Sequence, residues 1–345
     1  MFPYKEAKKK LIEILARELP IELRGKAEFI VDLHLREDTL AMPHMELEYQ
    51  QEIQLKILSD SYTLDEIRNQ LILEDPHEKS GIFRVLVRTH LNRTGINHVS
   101  MGYFEKTLSP RILNFTDTID INDDMSSQSG QIKLISKWLD FAKQNCDPAI
   151  PNIFHDERAI TTLETLLDQV MNNNLILTRR ITARHLWKNL NIDLGWCRIV
   201  LGVITGLQYL QANNWNTFEQ ANRNALNYKE IHKLTKDYQN NICEYGYALG
   251  GSFLADLGSP FFVKDDTHVR SCMIALGHIG TIEERVESVI RCANELKISP
   301  RILDKVMYIA CSGNLYLLGI RLPHPGRTKE EFISFLEGYR RLTTN

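Results

Sequence analysis

The stretch from Asn241 to Gly277, NICEYGYALGGSFLADLGSPFFVKDDTHVRSCMIALG, constrains the fold of this chain more than any other. Ile242, Tyr245, Leu249, Phe253, Leu254 and Leu257 recur at three- and four-residue steps, the period of a buried helical face. Gly246, Gly250 and Gly251 interrupt that face, where a tight turn or a close backbone approach calls for a residue without Cβ. Gly258-Ser259-Pro260 stops the helix, and Phe261 to Val263 run extended into Asp265-Asp266. Val269, Met273, Ile274 and Leu276 then restore a helical period. The stretch predicts helix, corner, helix, extended run and helix, with two carboxylates at the start of the last.

The remainder predicts a mainly α protein. Residues 4–18 read as a basic amphipathic helix with Ala7, Leu11, Ile14 and Leu15 on one side, and Lys8-Lys9-Lys10 as a solvated face rather than a nucleic-acid patch. Phe29, Val31, Leu33 and Leu35 alternate, which predicts one short strand. Helices are expected over Met45–Leu58, from the capping box Thr63–Glu66 through Leu73, and over Gly81–Leu91. The polar, acidic, serine-rich run TDTIDINDDMSSQSG, residues 116–130, is the expected linker. It divides an accessory domain, residues 1–115, which carries no recognisable catalytic motif, from a second domain, residues 131–345.

In the second domain Ile160, Leu163, Leu166, Leu167, Val170 and Met171 mark an amphipathic helix that runs into Asn172-Asn173-Asn174. Arg179, Arg180, Arg184 and Lys188, with His185 and Trp187 among them, form the strongest local basic segment. Such interleaving suits phosphate contact with base stacking, or equally an exposed helix with Trp187 buried. Ile199 to Leu210 predict a core helix in which Gly202 and Gly206 permit close approach. Thr281–Glu284 is a second capping box, Pro300 opens the next helix, and Thr328–Glu331 is expected to cap a last helix ending near Tyr339.

At 345 residues the chain holds one large or two ordinary domains. The six cysteines, at 146, 197, 243, 272, 292 and 311, are scattered without CxxC spacing, as suits a reducing compartment, and the histidines show no metal-ligand spacing. No apolar run reaches membrane-spanning length and no secretory leader is evident, so a cytoplasmic location is expected. The net charge of −3 counts mildly against nucleic-acid binding, but the acidic excess falls in residues 1–130 and residues 131–345 are net basic.

The glycine-marked hairpin, the second helix of small and apolar residues and the Asp266-Thr-His-Val269 tetrad together resemble the helix-hairpin-helix DNA glycosylase superfamily. The segment PRILDKVMYIACSG, residues 300–313, is similar to its closing core helix, which often reads Leu-Asp-Lys-x-Leu-Trp. The resemblance covers roughly residues 155–315 and implies a two-lobed helical domain of the HhH-GPD type. It implies that Asp266 is the catalytic carboxylate, and that Gly246, Tyr247, Ala248, Gly250 and Gly251 hold a DNA phosphate through main-chain amides. Gln169 and Asn172 to Asn174 match the loop that fills the gap left by a flipped base, or are an ordinary helix C-terminus. Tyr245 and Trp187 are further pocket candidates, and Arg179, Arg180, Arg184 and Lys188 candidate phosphate contacts.

Two departures matter. The family hairpin usually reads Leu-Pro-Gly-x-Gly, whereas here the run is Glu244-Tyr-Gly-Tyr-Ala-Leu-Gly-Gly251. The lysine that bifunctional members carry after the hairpin is missing from Ala248 to Gly251, which implies a monofunctional, water-using enzyme, with Lys264 and His268 as candidates for a secondary role. Without the closely spaced terminal cysteines of some members, no iron–sulfur cluster, other cofactor or metal is expected.

The chemistry fits the residue. Glycosidic cleavage builds positive charge on the sugar, which a fixed carboxylate stabilises while it orients water. An N-cap role alone would also explain an aspartate there. The expectation is a monomeric DNA glycosylase that excises a damaged, mispaired or modified base flipped out of double-stranded DNA. An N-glycosidase of free nucleotides or nucleosides, and a non-catalytic DNA-binding protein on the same scaffold, stay open beside it.

Overall fold

A computed structural model describes residues 2–36, 47–60, 63, 65–67, 79–93, 115–145, 157–221 and 227–344. The described chain is mainly helical, with one two-stranded antiparallel ladder. It forms two compact units: the first comprises Met1–Asp75, Ala221–Leu234 and Leu254–Asn345, the second Pro76–Gln220 and Thr235–Phe253.

In the first unit, α1 (Tyr4–Glu18) packs on α2 (Ala27–Leu35), and α3 (Leu47–Leu58) lies against a 3-10 turn, Ile21–Lys26. The chain returns to this unit as α12 (Thr267–Ala275), α13 (Ile282–Leu296), α14 (Pro300–Ser312) and α15 (Pro325–Thr344). Helix α14 is central, packed on α1, α2, α12, α13 and α15. Its buried residues Leu303, Val306, Met307 and Ala310 recur with the helical period and meet Leu11, Ile14 and Leu15 of α1 in the same core. Gly313 ends α14 at φ +64°, and a Cβ there would press on Leu322 and Pro325 at 3.1 and 3.2 Å, so glycine suits both the turn and the space. The ladder β1 (Asn314–Leu315) with β2 (Ile320–Arg321) follows, Asn314 opposite Arg321 and Leu315 opposite Ile320.

In the second unit, α4 (Lys79–Arg93), α5 (Gln128–Asn145), α6 (Glu157–Asn172) and α7 (Ala183–Leu190) surround α8 (Leu194–Ala212). Helix α8 is buried nearly all round, as its run of apolar and small residues requires. Gly202 and Gly206 admit α4: a Cβ at Gly202 would lie 1.9 Å from the His90 ring and one at Gly206 2.5 Å from Leu86. After α9 (Thr217–Ala221) come α10 (Tyr228–Asn241) and α11 (Tyr247–Asp256), the two arms of the expected hairpin, of which residues 235–253 belong to this unit and the outer ends to the first.

Several expectations are corrected. Residues 29–35 form helix α2 rather than a strand, because Ala27, Ile30, Val31 and His34 bury one helical face while Leu33 and Leu35 fill beside it. Residues 116–130, read as a linker, lie inside the second unit, and the chain does not divide there. Their acidic residues build turns rather than disorder: Asp120 and Asp124 accept from the amides of Asn122 and Ser126, while Ile119 and Met125 are buried. The last helix starts at Pro325 and runs to Thr344, so Thr328 and Glu331 lie inside it. Glu331 instead receives Arg17 at 2.6 Å and Lys10 at 2.7 Å, and Lys8 reaches Asp32 at 2.5 Å, so two of the three lysines in the run pair with carboxylates. The expected capping boxes close as read: Thr63 N donates to Glu66 at 2.7 Å, and Thr281 and Glu284 bond reciprocally at the head of α13. The expected helical turns 68–73 lie outside the described residues.

Candidate functional site

The two aspartates at the head of α12 have different partners. Asp265 is buried and bound by Arg285 of α13, whose Nη2 donates at 2.6 Å and Nε at 3.1 and 3.2 Å to its two oxygens. The Arg285 side chain is itself 7 % exposed, and its Nη1 also donates to the Gly280 carbonyl. Burial lifts the Asp265 carboxyl above its ordinary value although Arg285 pulls the other way. This pair anchors the extended run 262–266 to α13.

Asp266 is half-buried and is the N-cap of α12. Its Oδ1 accepts from the amides of His268 at 2.8 Å and Val269 at 3.2 Å, satisfying two of the helix's orphan donors. Its Oδ2 accepts no hydrogen bond among the described residues. The arrangement holds one oxygen still and leaves the other available to a ligand. An aspartate with both oxygens committed, like Asp265, could not serve in this way.

The other candidates near Asp266 are its sequence neighbours. Lys264 is half-buried and gives its carbonyl to Asp266 N at 2.7 Å. The His268 ring meets Tyr308 edge-on at 5.8 Å, and its buried Nδ1 makes no hydrogen bond among the described residues. The Asp304-Lys305 pair, read as part of the family's closing helix, serves the interior. Asp304 is bound by Arg301 at 2.6 Å, and Arg301 reaches Asp256 at 2.7 Å. The Lys305 ammonium lies 4.1 Å from the Tyr316 ring centre, and burial pushes its pKa down to about 7.

The hairpin candidates belong to the second unit. Helix α10 ends at Asn241, and the corner is turned by Glu244 at φ +64° rather than by a glycine. A Cβ at Gly246 would meet nothing within 4 Å, so the expectation that this position requires glycine is corrected. At Gly250 it holds: a Cβ would lie 3.0 Å from the Thr235 carbonyl, which is how closely α11 approaches α10. Gly251 lies in α11, as do Tyr247 and Ala248 of its first turn, where Gly246 O accepts from Leu249 N and Gly250 N at 3.1 and 3.0 Å. Tyr245 is 3 % exposed and packs on His90 and Phe253, with its hydroxyl toward Leu86 O at 3.5 Å. It fills the corner and does not line an open pocket.

The remaining candidates of that unit are on its surface. Asn172, Asn173 and Asn174 are exposed, and Gln169 holds Asn173 through a 2.9 Å side-chain bond. What fixes this loop is a set of glutamines that sequence reasoning missed. Buried Gln131 brackets Leu177 by accepting from its amide at 2.8 Å and donating to its carbonyl at 2.9 Å. Gln208 donates to the same carbonyl at 2.9 Å, and Gln128 donates to Val170 O. Three fixed amides from α5 and α8 thereby hold residues 170–177 in place. A glutamine within a helical period carries no such signal in sequence.

In the basic segment, Trp187 is 42 % exposed rather than buried. Arg180, Arg184 and Lys188 are exposed, and their side chains make no hydrogen bond or ion pair among the described residues. Arg179 is committed: it donates to the carbonyls of Asn240 and Gln239 at 3.1 and 3.4 Å, a cation at the C-terminus of α10. The same unit has an open polar cleft of about 370 Å³ at Asn122, Asp124, Gln211 and Trp215, which none of the expected site residues lines. No group of His, Cys, Asp and Glu among the described residues is arranged to hold a metal ion, and no helix among them is long and apolar enough to cross a membrane.

Compared with protein-family models, curated proteins and solved structures, the chain matches none of them.

Proposed function

We propose that this chain is a monofunctional DNA glycosylase of the helix-hairpin-helix type, which hydrolyses the N-glycosidic bond of a damaged, mispaired or modified base flipped out of duplex DNA. The observation that carries the reading is the division of labour at Asp265-Asp266. Arg285 takes the first carboxylate, while the second is pinned by one oxygen at a helix N-terminus and leaves its Oδ2 uncommitted. A carboxylate held in this way stabilises positive charge developing on a sugar without having to reorganise, and it can orient or deprotonate the attacking water. Exposed Arg180, Arg184 and Lys188 supply phosphate contacts and exposed Trp187 a stacking face. The first turn of α11 supplies main-chain amides for the backbone.

The test is base release from duplex panels carrying damaged and naturally modified bases, scored as abasic sites, with the corresponding free nucleosides alongside. Release from duplex that falls steeply with salt supports the reading. Release from nucleosides alone transfers the assignment to a small-molecule N-glycosidase. Salt-sensitive duplex binding with no release from either leaves a non-catalytic DNA-binding protein.

A further inference from the structure

Two cysteines lie in contact behind the candidate carboxylate. Cys272 is on α12, six positions after Asp266, and Cys311 is near the end of α14. Both are free and buried, and their sulfurs are 3.5 Å apart. His268 lies one helical turn before Cys272 on the same helix. Two other described thiols have different surroundings. Cys243 donates to the backbone carbonyl of Ile181 at 3.1 Å, and burial raises Cys197. At Cys311 the hydrogen bond with Cys272 and, less so, the influence of His268 pull the thiol down, whereas burial holds Cys272 up as the proton-bearing partner.

We propose that Cys272 and Cys311 are a redox-active dithiol, which hydrogen peroxide converts into a disulfide clamping α12 to α14. The Cys311 sulfur attacks one peroxide oxygen and the O–O bond breaks, giving Cys311 sulfenic acid and hydroxide, which takes up the proton Cys311 had given up. The Cys272 sulfur then attacks the sulfenic sulfur, the S–O bond breaks, and water leaves with the Cys272 proton. Two thiols are oxidised to one disulfide, and one peroxide is reduced to two waters. The sulfurs must close from 3.5 Å to about 2.05 Å, a movement within reach of side-chain rotation and a small helix shift. Peroxide suits the site because both thiols are nearly closed to solvent, which favours a small neutral oxidant over a bulky disulfide. Since α12 carries the amides of His268 and Val269 that hold Asp266, the bond would tie the candidate carboxylate's own helix to the core. The inference does not rest on the base-excision reading.

The full chain is exposed to hydrogen peroxide under native conditions, quenched, alkylated after unfolding, digested and analysed by mass spectrometry. The expected result is a peptide pair joined through Cys272 and Cys311, two hydrogens lighter than the separate peptides and released by dithiothreitol, with Cys197 and Cys243 alkylated. Cys272→Ser should leave Cys311 as a sulfenic acid trapped by dimedone, and Cys311→Ser should give no trapped species at Cys272. Alkylation of Cys272 and Cys311 in the treated wild type to the same extent as Cys197 and Cys243 would overturn the proposal. That readout needs no variant to fold.

Discussion

Replacing Arg285 with leucine is the sharpest perturbation of the scaffold behind Asp266. Three contacts to the Asp265 carboxylate, at 2.6, 3.1 and 3.2 Å, and a fourth to Gly280 O disappear together. Asp265 itself stays, 1 % exposed at its side chain and without its cation. Removing one partner of a buried pair costs about 3–5 kcal/mol, most of it from the charge left behind. The pH dependence gives the mechanism its signature. The Asp265 carboxyl is already raised in the fold by burial, and without Arg285 it rises further. Between the unfolded and folded pKa the native state then binds more protons than the unfolded chain, so stability falls as pH rises and returns on acidification. Urea denaturation of Arg285→Leu at neutral and mildly acidic pH should show the deficit largest at neutral pH. Arg285→Leu/Asp265→Leu should recover most of it, because replacing both partners by apolar groups removes the stranded charge. A loss under about 1 kcal/mol, or a double variant no more stable than the single one, would refute the assignment of Asp265 as the anchor.

Other outcomes follow from particular contacts. Gly202→Ala would drive a methyl into the His90 ring and should destabilise by about 1–3 kcal/mol, whereas Gly246→Ala meets open space at an ordinary φ and should be neutral or stabilising by up to about 1 kcal/mol; paired thermal melts check both. His34 is buried with its ring bonded to Ile30 O at 2.8 Å, and burial pushes its pKa down to about 4. The unfolded histidine takes a proton near pH 6.5 while the folded one does not until far lower, so stability falls by about 2 kcal/mol from pH 7 to pH 5, and His34→Leu should remove that slope in denaturation series. Removing Arg180, Arg184 or Lys188 singly should lower the salt slope of duplex binding by about one each, and Trp187→Ala should cost about 1–3 kcal/mol of binding where a base stacks on it.

Much of the architecture was legible because it rests on local signals. The Asp266-Thr-His-Val269 run predicted a helix with an aspartate cap, and Oδ1 does accept from two amides of that helix. Gly202 and Gly206 predicted a close helix approach and admit α4. The misreadings have a common physical cause, which is that the deciding partner lies far away in the chain. Apolar alternation over 29–35 suits a strand in isolation, but the segment packs as a helix on α1 and α14. Glu331 fits a capping box by spacing, yet Arg17, 314 residues away in sequence, takes it. The Asp265–Arg285 pair, the Gln131 bracket on Leu177 and the Cys272–Cys311 contact are invisible for the same reason. Each joins residues at least 20 positions apart whose types are common anywhere.

Asp266→Asn separates an Asp266 that does chemistry from one that only caps a helix. Asparagine caps as well as aspartate, so α12 and the thermal midpoint should survive, while the carboxylate is gone. The decisive measurement is single-turnover base release by wild type and Asp266→Asn on the duplex that wild type cleaves best, with the midpoint of each protein recorded in parallel. A catalytic Asp266 requires release about 10²–10³-fold slower in a variant that melts with wild type. Equal release rates in two equally stable proteins would contradict it and leave Asp266 a helix cap.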